Sequence, residues 1–131
     1  MNSEFRYNQV LLIEDMEIDS YIASYLLDKY YIARQIIVKK NAGDALFWIT
    51  EIMQTNNRLP EVIIMDMRLP DMTANELLEK LGRLPVEFMQ QTKIIAVSAL
   101  ADKNEIDLIR NNSLVQQFIP KPLSVHSVSL I

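Results

Sequence analysis

Short apolar runs recur along this chain, and the stretches between them carry apolar residues at helical spacing. Residues 10–13 (VLLI) form the first run and end on two acids, Glu14 and Asp15. Over residues 17–30, Ile18, Ile22, Tyr25 and Leu26 recur at helical spacing, which predicts a helix that buries this stripe. Residues 32–38 (IARQIIV) are rich in β-branched side chains and predict a second strand, left through Lys39 and Lys40. Asn41 to Gly43 read as a turn. Ala45, Leu46, Ile49, Ile52 and Met53 then repeat at helical spacing, and the polar stretch TNNRLP, residues 55–60, stops this second helix, because Pro60 lacks an amide hydrogen and restricts Leu59.

Residues 62–66 (VIIMD) are the third strand. It stops on Asp66 and turns at once through Met67, Arg68, Leu69 and Pro70. A third helix is predicted over 74–81, with Leu77, Leu78 and Leu81 inward and Gly82 as its C-cap. Residues 84–92 (LPVEFMQQT) admit either a loop or a short extra helical turn. The fourth strand, 93–97 (KIIAV), ends on Ser98 and Ala99; a helix over 103–111 and a fifth strand over 115–119 follow. After Lys121 and Pro122, residues 124–131 offer barely two turns of helix.

Strands apolar on both faces, alternating with helices, predict an α/β fold of three layers: a doubly wound, five-stranded parallel sheet with helices on both sides. Right-handed crossovers leave few strand orders. In the flavodoxin-like order 2-1-3-4-5 the first and third strands are neighbours, so Asp66 meets Glu14 and Asp15 in one crevice at the carboxyl edge.

At 131 residues the whole chain, 1–131, reads as a single domain able to bury a core without a staple. The absence of cysteine excludes thiol redox chemistry and thiolate metal sites. A net charge of −4 with no long basic tract argues against direct nucleic-acid binding. No run is long and apolar enough to span a bilayer and no signal segment opens the chain, so a soluble cytoplasmic protein with no membrane partner is expected. His126, near the C-terminus, reads as a surface residue, and Phe47 and Trp48 as one packed and one exposed ring of the second helix.

Three carboxylates in one crevice repel each other unless a cation lies among them. A hard divalent ion with oxygen ligands answers that, and Mg2+ suits a few carboxylates plus waters and a phosphate. Aspartate can also act as a nucleophile and become an acyl phosphate. Ser98 ends the fourth strand and Lys121 follows the fifth, which puts a hydroxyl and an ammonium on the same edge as the acids. Acids that merely capped strands or opened helices would not concentrate at the ends of the first and third strands.

The segments VLLIEDMEID, IIMDMRLPDM, IIAVSA and FIPKP, with the alternation around them, resemble the receiver domain of two-component response regulators over essentially the whole chain. That resemblance implies Asp66 as the phosphoryl acceptor and Glu14, Asp15 and Asp66 as the acids that hold Mg2+, Asp15 directly and Glu14 mainly through water, joined by the backbone carbonyl of Arg68. It implies Ser98 as the switch hydroxyl, Lys121 as the cation that pairs with the phosphoryl group, and Phe118 as the aromatic switch residue. It also implies a cis bond between Lys121 and Pro122. The donor would be a histidine kinase or phosphotransfer protein, and the output a changed protein-binding surface around residues 103–119 and the last helix, read by a downstream protein target. Such a chain catalyses only its own phosphorylation and slow dephosphorylation. Arg68 and Leu100, on the loops over the site, are expected to limit the approach of hydrolytic water.

The chain departs from the family pattern in places. Ala74 stands where a glycine is usual, the glycine common before the fifth strand is missing, and Asn111 or Asn112 is expected to turn the chain there in a left-handed conformation. Because nothing follows residue 131, a stand-alone receiver is expected, monomeric or weakly dimeric. The competing readings are a receiver-fold docking module that is never phosphorylated, the receiver part of a truncated multidomain regulator, and a flavin-binding protein. The acidic EDMEID after the first strand, which would repel a flavin phosphate, argues against the last.

Overall fold

A computed structural model describes residues 4–99 and 102–131. Its strands β1 (Tyr7–Ile13), β2 (Ala33–Lys39), β3 (Val62–Asp66), β4 (Lys93–Ser98) and β5 (Val115–Pro120) pair in parallel in the order β2-β1-β3-β4-β5. This is the order that brings the first and third strands together: Val10 to Ile13 lie in register with Val62 to Met65. β1 begins at Tyr7 rather than at Val10, because its first residues pair with the edge strand β2 and are only partly covered, so they carry no apolar run.

Side chains alternate across each strand, and the core divides accordingly. Leu11, Ile13, Ile63, Met65, Ile94 and Ala96 face α2 (Ala42–Gln54), α3 (Ala74–Gly82), α4 (Val86–Gln91) and α5 (Lys103–Arg110). Val10, Leu12, Val62, Ile64, Ile95 and Val97 face α1 (Glu17–Lys29) and α6 (Val125–Ser129). Central β3 is buried throughout, as a strand covered on both faces must be. The ambiguous stretch before β4 is the helix α4, held by Phe88, which is fully buried. Among the described residues no helix is long and apolar enough to cross a membrane.

Three local expectations need correction. The buried face of α1 is Ala23, Leu26 and Leu27; Ile18 is 71% exposed, and Ile22 and Tyr25 are exposed too. α2 ends at Gln54, where the polar stretch 55–60 begins, as expected; there Asn56 takes φ 62° and the Asn57 amide donates to the Ile52 carbonyl, so a left-handed residue closes the helix. Gly82 is the last helical residue of α3 and not a left-handed cap; a Cβ there would come within 3.2 Å of Leu114 Cδ1, so it allows close packing instead. Neither Asn111 nor Asn112 is left-handed. The Asn112 side chain accepts from the Leu114 amide at 2.9 Å and shapes the turn into β5 that way. Ala74 likewise needs no positive φ, because Thr73 and Glu76 form a capping box that starts α3 in ordinary geometry.

Candidate functional site

The site follows from register. β1, β3 and β4 end side by side, so the residues at their carboxyl ends share one crevice: Glu14 just past Ile13, Asp66 closing β3 opposite Val97, and Ser98 closing β4 opposite Pro120. Glu14, Asp66 and Ser98 are buried, whereas Asp15 is exposed. Glu14, Asp15 and Asp66 each offer a carboxylate oxygen, all within 4.8 Å of one another. An all-oxygen set this tight can hold a hard cation, and its chemistry fits no soft metal.

Lys121 enters from β5. Its amide donates to the Ser98 carbonyl at 2.9 Å, the Lys121–Pro122 bond is cis, and the side chain reaches into the crevice. There Nζ lies 2.6 Å from Asp66 Oδ2, 2.8 Å from Glu14 Oε1 and 2.7 Å from Asp19 Oδ2. An ammonium has three donors, and each has a carboxylate. Burial alone would lower the pKa of Lys121, but the bonds to Asp19, Asp66 and Glu14 outweigh it and hold the ammonium charged, with its pKa well above the ordinary lysine value. Burial pushes Glu14 up from 4.5 to about 7; the Lys121 ammonium opposes this and neighbouring Asp66 adds to it.

The loop after β3 is fixed from two sides. The Arg68 amide donates to Asp66 Oδ1 at 2.9 Å, and Arg68 bridges to Thr73. Arg68 itself is exposed. The Asp71 carboxylate accepts from the amides of Ala42 and Gly43, at 2.9 and 2.7 Å, and so caps α2. Gly43 permits this approach, since a Cβ there would lie 3.2 Å from Asp71 Oδ2. Although loss of some hydration at Asp71 works the other way, these amide bonds hold its carboxyl below the usual range.

Phe118 sits on β5 opposite Ala96, half-buried against the core, with the Arg110 guanidinium 5.2 Å from its ring centroid. Leu100 lies outside the described residues. Phe47 is the exposed ring of α2 and Trp48 the packed one. Glu14, Asp15, Asp66 and Lys121 are thus brought together, with Ser98 on the same edge. Asp19, Asp71 and Arg110 had no place in the sequence reading.

No protein-family model matches the chain, and no curated protein sequence does. Solved structures do match. A two-component response regulator from Cytophaga hutchinsonii superposes with a TM-score of 0.85 at 18% identity, covering 95% of this chain and 93% of that one. The Mn2+-bound response regulator Rcp1 gives 0.74 at 17% identity, over 94% of this chain and 88% of its own. A phosphorylated cyanobacterial phytochrome response regulator, RcpA, gives 0.77 at 16%, over 95% and 88%. Over nearly its whole length, the chain has the receiver fold of two-component response regulators.

Proposed function

We propose that the chain is a phosphoryl-accepting receiver in which Asp66 takes the phosphoryl group in a Mg2+-dependent step. The observation that carries this reading is the meeting of Asp66 with the Glu14 and Asp15 carboxylates on one side and the Lys121 ammonium on the other. A bound Mg2+ would supply charge neutralisation and orientation of phosphoryl oxygens, held by Glu14, Asp15, Asp66 and the Arg68 carbonyl. That a structural neighbour binds Mn2+ and another is phosphorylated supports the same assignment.

In the step itself, an Asp66 carboxylate oxygen attacks the phosphorus of a phosphohistidine on a histidine kinase or phosphotransfer protein. The P–N bond breaks, its electrons stay with the imidazole, and that nitrogen takes a proton as it leaves. Lys121, already 2.6 Å from the acceptor carboxylate, shifts onto a phosphoryl oxygen. Ser98 donates its hydroxyl to another. Hydrolysis reverses the chemistry: water attacks phosphorus, the P–O bond to Asp66 breaks, and inorganic phosphate departs. We assign Arg68 and Leu100 the role of slowing this approach.

The acyl phosphate adds about two negative charges beside β4. Ser98 moving toward it opens room behind β4 that the Phe118 ring can fill, shifting a pre-existing equilibrium of the α5–β5–α6 face toward its partner-binding form. The reading makes the chain a cytoplasmic, single-domain signalling protein that acts on a downstream protein and turns over no substrate of its own. Mass spectrometry after incubation with acetyl phosphate and Mg2+ tests it. One labile phosphoryl addition in the wild type and none in Asp66→Ala is the expected result; an unreactive wild type refutes it. Loss of the label in Arg68→Ala combined with Leu100→Ala should be faster than in wild type, and equal rates would remove both residues from the account.

A further inference from the structure

We propose that Asp19 is a positioning residue for Lys121: it holds the ammonium where it can serve the acceptor without blocking the cation site. The inference rests on the receiver reading above and adds a residue to it.

Lys121 faces three carboxylates, and two of them have other work. Glu14 and Asp66 belong to the tight oxygen cluster, and Asp66 is the acceptor. Asp19 is outside that cluster, yet its Oδ2 is 2.7 Å from Nζ. It comes from the first turn of α1, four residues before buried Ala23, on the face of the helix that meets the sheet. The ion pair spans 102 residues of sequence and ties α1 to the end of β5. Asp19, Glu14, Asp66 and Lys121 also line a single small cavity of about 30 Å³, closed by Ile22 and Leu123.

An ammonium is a point charge on a flexible stem and settles wherever carboxylates are densest. Without Asp19 the densest place is between Glu14 and Asp66, where an incoming divalent ion must displace it. With Asp19 in place, Lys121 keeps one partner that neither metal binding nor phosphorylation removes. Two of its three donors can then move to phosphoryl oxygens while the third stays bonded. Asp19 therefore sets the balance between an ammonium that guards the empty site and one that yields it.

Asparagine and alanine separate this role from a general charge effect. Both remove the negative charge, but only the amide oxygen of asparagine still accepts from Nζ. Mg2+ affinity measured by calorimetry should fall about tenfold in Asp19→Ala and only about two- to threefold in Asp19→Asn, in the range of contact couplings. In a Lys121→Met background the two variants should bind Mg2+ equally well, because the residue they act through is gone. Equal affinities of Asp19→Ala and Asp19→Asn in the wild-type background would overturn the proposal, as would an undiminished difference without Lys121. A Lys121→Met chain that fails to fold leaves the first comparison decisive. The phosphoryl readout separates the two claims: a wild type that binds Mg2+ but accepts no phosphoryl group sinks the receiver reading, while the titrations still decide Asp19. A wild type that binds no Mg2+ sinks this inference directly.

Discussion

Glu14 makes the stability of the metal-free protein fall as pH rises through the weakly acidic range. Its carboxyl is buried beside Asp66, and its pKa goes from 4.5 to about 7 on folding despite the nearby Lys121 ammonium. A raised acid pKa means that the folded chain holds this proton more tightly than the unfolded chain does. Stability tied to that proton is complete below about pH 4.5 and is lost as pH climbs through about 7. At about 1.4 kcal/mol for each tenfold change in proton affinity, the loss is at most roughly 3–4 kcal/mol. The other shifted groups act elsewhere. Asp71 and Glu76, both lowered, stabilise the fold above their ordinary values of 3.8 and 4.5 and lose that only as pH falls further. Lys121, raised, contributes steadily until pH passes its ordinary value of 10.5. Urea unfolding from pH 5 to 8 in metal-free buffer should therefore show a decline in the wild type and a flat profile in Glu14→Gln, which stays neutral throughout. Added Mg2+ should restore the wild type toward the upper end of the range, since an ion selects the ionised carboxylate. A Glu14→Gln protein that declines in parallel with the wild type would refute the reasoning.

Other expectations follow from single contacts. Thr92→Val removes a buried hydroxyl that donates to the Pro60 carbonyl at 2.7 Å and should cost about 1–2 kcal/mol in urea unfolding; a neutral result would mean that the carbonyl finds another donor. Phe88→Ala empties the fully buried position that anchors α4 and should cost about 3–5 kcal/mol by the same assay. Asp71→Ala leaves the N-cap Asn41 but removes the acceptor of the first two amides of α2 and should cost about 1 kcal/mol, with faster amide exchange at Ala42 and Gly43 as the local signature.

The strands and the carboxyl-edge residues were legible because a central parallel strand leaves little choice. β3 is buried on both faces, so it must be apolar throughout, and the first charged residue after such a run marks where the strand leaves the core. The same logic located Glu14, while Ser98 and Lys121 were placed by where the fourth and fifth strands end. Helix ends were harder to read. α2 ends at Gln54, where the polar stretch 55–60 begins, but its closure by left-handed Asn56 and the Asn57 to Ile52 hydrogen bond has no mark in the spacing of residues. The Arg110–Phe118 contact depends on how α5 lies against β5, which spacing along the chain does not encode.

The two failures on α1 have one cause. The helix carries apolar residues on two stripes, one through Ile18, Ile22 and Tyr25 and one through Ala23, Leu26 and Leu27. By side-chain size the first is the stronger candidate, and burying it would turn Asp19 away from the sheet. Burying the second costs the contacts of larger side chains, yet it directs Asp19 to the Lys121 ammonium 2.7 Å away and lets small Ala23 bring the helix close to the sheet. A pattern of hydrophobic positions ranks stripes by apolar content alone. The rotation that the helix adopts is set jointly by packing and by the charge of Lys121, just past β5 and more than a hundred positions away, and so the misread face and the overlooked carboxylate are the same error.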